Sequence, residues 1–277
     1  MRGATAILTL TLALAGCTGN ITQSTFFPQA AVAPDTVLSP PPGYRMEDAT
    51  LDLPGLGTVH AVRLDRPGTD KVVIYSGGNM SFVSRLSHIA AALATATDAD
   101  IVLYDYPGRG GTTVPPTVDA SIAFGPAFTQ ALRTRGWIGA GPVFGYGLSF
   151  GGSQAAAIAR EGSMKGLIIE GSAADLATVG RNFIPGVMKP FIRLKVDPDL
   201  ARFDYFGYAV AARAPVLLII AEGDKVVTPR NMRAFADQLR ARGVSVTTVS
   251  VPGEHGTALR DPAAQDAVRR FIAANGG

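Results

Sequence analysis

Beyond residue 46 the chain alternates between short β-rich runs that end in Gly or Asp and longer Ala-rich stretches. That rhythm predicts an α/β fold built on a mainly parallel sheet of roughly eight strands with helices on both faces. Strands are predicted at 50–53, 59–64, 71–75, 101–104, 143–146, 166–170, 216–221 and 245–251. Helices are predicted at about 81–96, 119–135, 150–162, 229–242 and 257–274, each where a right-handed crossover between parallel strands is needed. The later strand runs are continuous in Val, Ile and Leu, as strands covered on both faces must be. No internal repeat or second linker interrupts 46–277, which reads as one domain. Its longest connection, 172–214, carries Phe183, Ile184, Met188, Phe191, Phe203, Tyr205 and Phe206. A segment this apolar is not merely solvated and predicts a small cap or a pair of extra helices over the sheet edge, with an acyl-binding wall rather than a polar cleft.

The N-terminal pattern differs. Residues 1–17 hold one positive charge, an apolar run too short to cross a bilayer with a stable margin, and then small residues, which is the pattern of a signal peptide. The run ends in Leu14-Ala15-Gly16-Cys17, which resembles the bacterial lipobox, and Cys17 is the only cysteine in the chain. The resemblance implies removal of 1–16, lipidation of Cys17 and a membrane partner reached through the acyl chains. It places the protein at a bacterial cell envelope. Thr18 is not acidic, which in a Gram-negative cell goes with the outer membrane. Residues 17–45 are polar, aperiodic and Pro-rich, and read as an extended tether. The other reading is a first segment packed on the fold, with Phe26 and Phe27 as docking side chains.

Composition then removes whole classes. Of 277 residues 47% are hydrophobic, and the formal charge is only +3, so the chain buries a sizeable core rather than remaining disordered. Its 25 basic and 22 acidic residues are interspersed, which does not indicate a nucleic-acid partner. One cysteine allows no internal disulfide, CxxC redox pair or thiolate-rich metal cluster.

Candidate chemistry gathers at strand ends. Gly147-Leu148-Ser149-Phe150-Gly151 is a GxSxG motif, weak alone, but it falls where the 143–146 strand turns into the next helix. A nucleophile lifted onto such a turn needs small neighbours, since strand and helix approach closely, and Gly147, Gly151 and Gly152 supply them. The helix N-terminus behind it favours developing negative charge. A serine hydroxyl needs a base, and histidine suits that task near neutrality. Of three histidines, His60 falls in an early strand and His88 in a helix, both with structural roles expected. His255 follows the last strand, in a loop at the carboxyl end of the sheet where such folds place their sites. If the order is Ser, acid, His, the orienting carboxylate follows the 216–221 strand. Asp224 is the first choice, with Glu222 and Asp175 as rivals.

These segments together resemble the serine hydrolases of the α/β-hydrolase fold superfamily, over about residues 48–274. The resemblance implies two-step acyl transfer by Ser149, His255 and Asp224 on a carboxylic ester or thioester, with no metal or organic cofactor. It also implies an oxyanion hole from the backbone N–H groups of Phe150 and Asn79, the latter displaced by one position if Met80 donates instead. Gly77-Gly78 stands where many members have His-Gly. Asp105, in the Asp105-Tyr106-Pro107-Gly108-Arg109-Gly110 stretch, is by the same resemblance a loop-shaping residue. The segments around Tyr75 and Tyr104 look most like compact, small-capped hydrolases, which include depalmitoylases and monoacylglycerol hydrolases. Acyl transfer to another alcohol would use the same residues, and a catalytically silent binding module on this fold is the reading from a different class.

Overall fold

The structure, a computed structural model, describes residues 17–26, 35–162 and 164–276. Its sheet contains β2 (Arg45–Leu53), β3 (Gly57–Asp65), β4 (Val72–Ser76), β5 (Asp100–Tyr104), β6 (Val143–Leu148), β7 (Gly166–Glu170), β9 (Val216–Ala221) and β10 (Val246–Val251). These eight strands lie in the order β10-β9-β7-β6-β4-β5-β3-β2. The β2–β3 hairpin and its junction with β5 are antiparallel, and every other pairing is parallel. All eight predicted strands are present.

The central strands are buried along their whole length because helices cover both faces. Successive residues go to opposite sides. Ile74, Leu218 and Ile220 join the core under α3 (Val118–Arg135), α4 (Phe150–Ala159), α7 (Tyr205–Ala211) and α8 (Pro229–Ala241). Val73, Leu217 and Ile219 join the core under α2 (Ser87–Thr97) and α9 (Pro262–Asn275). Helix ends are capped by side chains that take orphan N–H groups: Thr117 begins α3, and Thr228 with Asn231 forms a capping box at α8. Pro126 lies inside α3 and cannot donate to the Ile122 carbonyl four residues earlier. Arg160, just past the end of α4, supplies that hydrogen bond at 2.7 Å.

The cap comprises α5 (Leu176–Asn182), a short 3₁₀ turn at Gly186–Met188, β8 (Ile192–Val196) and α6 (Pro198–Ala201), followed by α7. Where an extended tether is expected over 17–45, parts of the described stretch engage the fold. Cys17–Ile21 forms β1, followed by α1 (Gln23–Phe26), and β1 pairs in parallel with β8 from Cys17↔Ile192 to Ile21↔Val196. The reason is local: β8 is otherwise a lone strand whose backbone N–H and C=O groups need a partner. Farther along, Leu38 is buried and Tyr44 donates to the Ala99 carbonyl at 3.1 Å. The predicted signal peptide, the Phe26 side chain and Phe27 lie outside the described residues. Among those residues no helix is long and apolar enough to cross a membrane.

Chain order locates the working end of the sheet. From β4 the chain moves to β5 on one side and then returns to β6 on the other. The loops after β4 and β6 therefore leave their strands in opposite directions and open a crevice at the carboxyl ends.

Candidate active site

Ser149 lies between β6 and α4 with φ 55° and ψ −121°, a conformation an L side chain rarely adopts. Backbone strain of this kind costs on the order of 1–3 kcal/mol and persists only where the surroundings enforce it. Here they do: the Ser149 N–H donates to the Glu170 carbonyl at 2.9 Å, and Gly152 N–H donates to the Ser149 carbonyl at 3.0 Å. A Cβ on Gly151 would overlap the Ser76 carbonyl of β4, and one on Gly147 would overlap the backbone of Gly151. The small residues read from the motif are thus required by strand-to-helix contact.

His255 follows β10, and its Nδ1 lies 2.7 Å from Asp224 Oδ2. Asp224 is buried after β9, and its second oxygen accepts the N–H groups of Val226 and Val227 at 2.8 and 2.9 Å. Both rivals for the acid are engaged elsewhere. Glu222 is exposed and pairs with Arg233, while Asp175 caps α5 by accepting Thr178 N–H at 2.9 Å. The end of β7 joins the two halves of the site. Its Glu170 carbonyl holds Ser149, and a Cβ on the next residue, Gly171, would stand 3.2 Å from both His255 Nδ1 and Asp224 Oδ2.

Asn79 lies in the turn after β4, and Phe150 is the first residue of α4. Gly78 abuts Ser149, with 3.9 Å between its Cβ position and the serine Cβ. Met80 has a positive φ of 63°, is half exposed, and donates its N–H to Asn79 Oδ1 at 3.1 Å. Two side chains from the loop after β5 hold this turn. The Tyr106 hydroxyl donates to the Gly77 carbonyl, and Arg109 Nη2 donates to Asn79 Oδ1 at 2.7 Å. Both are buried, so burial raises the Tyr106 pKa well above its ordinary value and lowers that of Arg109.

Sequence reasoning passed over Arg109, Tyr106 and Glu170. Glu170 is buried at the end of β7, where it accepts the Tyr146 hydroxyl at 2.6 Å and the Ala258 N–H at 2.9 Å, tying down the turn beyond His255. Burial raises its pKa, opposed by those hydrogen bonds. A charged residue closing the apolar run 166–169 is the one signal that marked it. His88 is exposed on α2. His60 binds Asp105, and the same carboxylate accepts Val83 N–H at 2.9 Å, which makes Asp105 a loop-shaping residue.

A cavity of about 380 Å³ opens on Ser149. Its wall is mostly apolar and includes Ile21 of β1 and Leu176, Val179, Phe183 and Leu194 of the cap, with Asn79 among its polar residues. A neighbouring cavity of about 280 Å³ shares Phe150, Ser153, Leu176 and Tyr205 with it. Among the described residues no group of three or more His, Cys, Asp or Glu side chains is placed to share a metal ion.

No family model and no curated relative matches the chain. Solved structures do. An esterase of Pyrococcus furiosus superposes with a TM-score of 0.68 at 17% identity, over 88% of this chain and 100% of that one. A Pyrobaculum calidifontis esterase gives 0.59 at 21% identity, over 85% of this chain and 86% of that one. Est1E of Butyrivibrio proteoclasticus, solved with ferulic acid bound, gives 0.62 at 19% identity, over 82% and 98%. The chain has the α/β-hydrolase fold, and at these identities the likeness speaks for the fold while the side chains must speak for the chemistry.

Proposed function

We propose that the chain is a serine hydrolase that cleaves carboxylic ester or thioester bonds through an acyl-enzyme. The observation that carries the reading is the meeting of three things at the end of β7: a serine in a strained turn, a histidine oriented by a buried carboxylate, and an apolar cavity opening on that serine. In the proposed cycle Ser149 Oγ attacks the substrate carbonyl carbon while His255 Nε2 accepts the hydroxyl proton. Asp224 holds the Nδ1 proton, which fixes the tautomer and stabilises the imidazolium. The carbonyl oxygen becomes an oxyanion received by the N–H groups of Phe150 and Asn79. Asn79 is favoured over Met80 because it lines the cavity with Ser149, whereas the Met80 N–H is turned to the Asn79 side chain. Collapse expels the alcohol or thiol, which takes the proton from His255. Water, deprotonated by His255, then attacks the acyl carbon and releases the acid and free Ser149.

The cavity wall supports an acyl group as the buried part of the substrate. The lipobox-like end at Cys17 supports attachment to a bacterial envelope membrane, the outer one in a Gram-negative cell. The test is a panel of nitrophenyl acyl esters of rising chain length, with fluorophosphonate labelling. The parent protein is expected to be labelled and to prefer chains longer than acetate. Ser149→Ala and His255→Ala are each expected to lower turnover at least about 10³-fold, with labelling lost in the serine variant. Turnover that survives both changes, or a parent that takes no label, would overturn the reading and leave a silent binding module.

A further inference from the structure

The cap carries a surface that the proposed reaction does not use. Among the described residues the exposed large hydrophobic side chains include Phe183, Val187, Met188 and Phe191, all within nine positions of the cap, with Phe183 68% and Val187 78% exposed. The segment 176–196, bounded by Asp175 and Asp197, contains Arg181, Lys189, Arg193 and Lys195 and no Asp or Glu. That is a strong local bias in a chain whose 25 basic and 22 acidic residues nearly balance. β8 sorts the two kinds of residue by strand period: Ile192, Leu194 and Val196 are half-buried while Arg193 and Lys195 are exposed.

We infer that this face of the cap docks on an anionic lipid bilayer. Apolar side chains set among cations, without acids, are what the interfacial zone accepts: the former enter the boundary between headgroups and acyl chains, the latter meet the lipid phosphates. A soluble protein partner would give no reason for four cations and no carboxylate over 176–196, whereas a uniformly negative surface does. The cap is also where the chain's own candidate anchor arrives. Cys17 pairs with Ile192, the residue after Phe191, so lipidation there would deliver the acyl chains beside the patch. Phe183 belongs to both the patch and the wall of the Ser149 cavity. Docking therefore brings the cavity to the lipid, and an acyl ester would enter from the bilayer. That last step rests on the hydrolase reading, and the docking itself does not.

The experiment is flotation of the full chain with vesicles of phosphatidylcholine alone or with about one third phosphatidylglycerol. Every arm carries Cys17→Ser, so that no lipid anchor forms and residues 1–16 contribute equally throughout. Partition onto the anionic vesicles is expected to fall at least about tenfold when Val187→Ser, Met188→Ser and Phe191→Ser are combined. Combining Arg193→Gln with Lys195→Gln is expected to lower it about tenfold on anionic vesicles and to leave the zwitterionic arm unchanged. None of these five residues lines the cavity, so turnover of a short soluble ester should stay within about twofold and report intact folding. If the apolar variant loses that turnover, the charge variant alone decides. Equal flotation of the parent and the deciding variant overturns the docking surface. So does a parent that fails to float, or a patch whose change only dissociates a dimer. Ser149→Ala should float like the parent; if it instead retains ester turnover, the hydrolase reading falls and the docking stands.

Discussion

Among the described residues two histidines are held by buried carboxylates, and by that near contact they are almost the same. His255 Nδ1 stands 2.7 Å from Asp224, and His60 Nδ1 stands 2.6 Å from Asp105. In each pair the carboxylate is buried, the ring is partly exposed, and the second carboxylate oxygen accepts backbone N–H: that of Val83 at Asp105, and those of Val226 and Val227 in its own loop at Asp224. The difference lies across the ring. His60 Nε2 faces a second carboxylate, Asp48, at 3.1 Å, whereas Asp224 is the one carboxylate paired with His255 among the described residues. Held between two acids, His60 has a raised pKa, the Asp105 hydrogen bond being the largest cause, and clamps β2 and β3 to the loop after β5. His255 instead sits at the end of β7 beside Gly171, next to the residue that holds Ser149. An oriented imidazole becomes a candidate base through what its far nitrogen can reach.

The sharpest way to break the comparison is to change each acid to its amide. Asp224→Asn keeps an oxygen for the Val226 and Val227 N–H groups and turns an NH₂ toward His255 Nδ1. The ring must then carry its proton on Nε2, the tautomer that cannot take a proton from Ser149. Turnover of a soluble ester at neutral pH is expected to drop on the order of 10⁴-fold, with a thermal midpoint close to that of the parent. A loss of less than about tenfold would mean that Asp224 does no more than Asp105 does.

How much of this was legible depends on whether a role is local. The five central strands could be read because burial on both faces leaves uninterrupted apolar runs, and the serine because its motif falls at a strand-to-helix junction. The acid was legible only as a choice among Asp224, Glu222 and Asp175. The three carboxylates differ in what each meets: a histidine, an exposed arginine and a helix end. β8 alternates apolar and basic residues, a period-two signal hidden inside a segment expected only as a cap or extra helices. β1, whose sequence is Cys-Thr-Gly-Asn-Ile, has little strand propensity and exists through its partner. Arg109 and Tyr106 support the turn at Asn79 across about thirty positions of chain, a pairing that no local pattern encodes.

The matching change at the other pair, Asp105→Asn, should act on folding instead. One oxygen remains for the Val83 N–H, but the charge that faces His60 is lost, and the amide NH₂ can meet Nδ1 only if that nitrogen gives up its proton. Leaving a buried hydrogen-bonding group mismatched costs about 1–3 kcal/mol, so the urea midpoint should fall accordingly while soluble-ester turnover changes less than about threefold. Turnover falling with Asp105→Asn as steeply as with Asp224→Asn would erase the distinction between the pairs.

The smallest effect sharpens the comparison through its pH dependence. His60 has a folded-state pKa above its ordinary 6.5, so its contribution to stability is complete below that unfolded value and is lost as pH rises through the raised one. His60→Gln preserves hydrogen-bonding capacity but carries no charge. Its destabilisation relative to the parent, read from urea midpoints between about pH 5 and pH 9, should be greatest at the acid end and shrink steadily toward the alkaline end. Asp48 is exposed, so its share is screened, and added salt should remove part of the difference while leaving the Asp105 share. Soluble-ester turnover should stay within about twofold of the parent at every pH, because His60 meets Asp48 and Asp105 rather than Ser149. A destabilisation that grows with pH would show that the ring is neutral in the folded protein and that the clamp at His60 owes nothing to its charge.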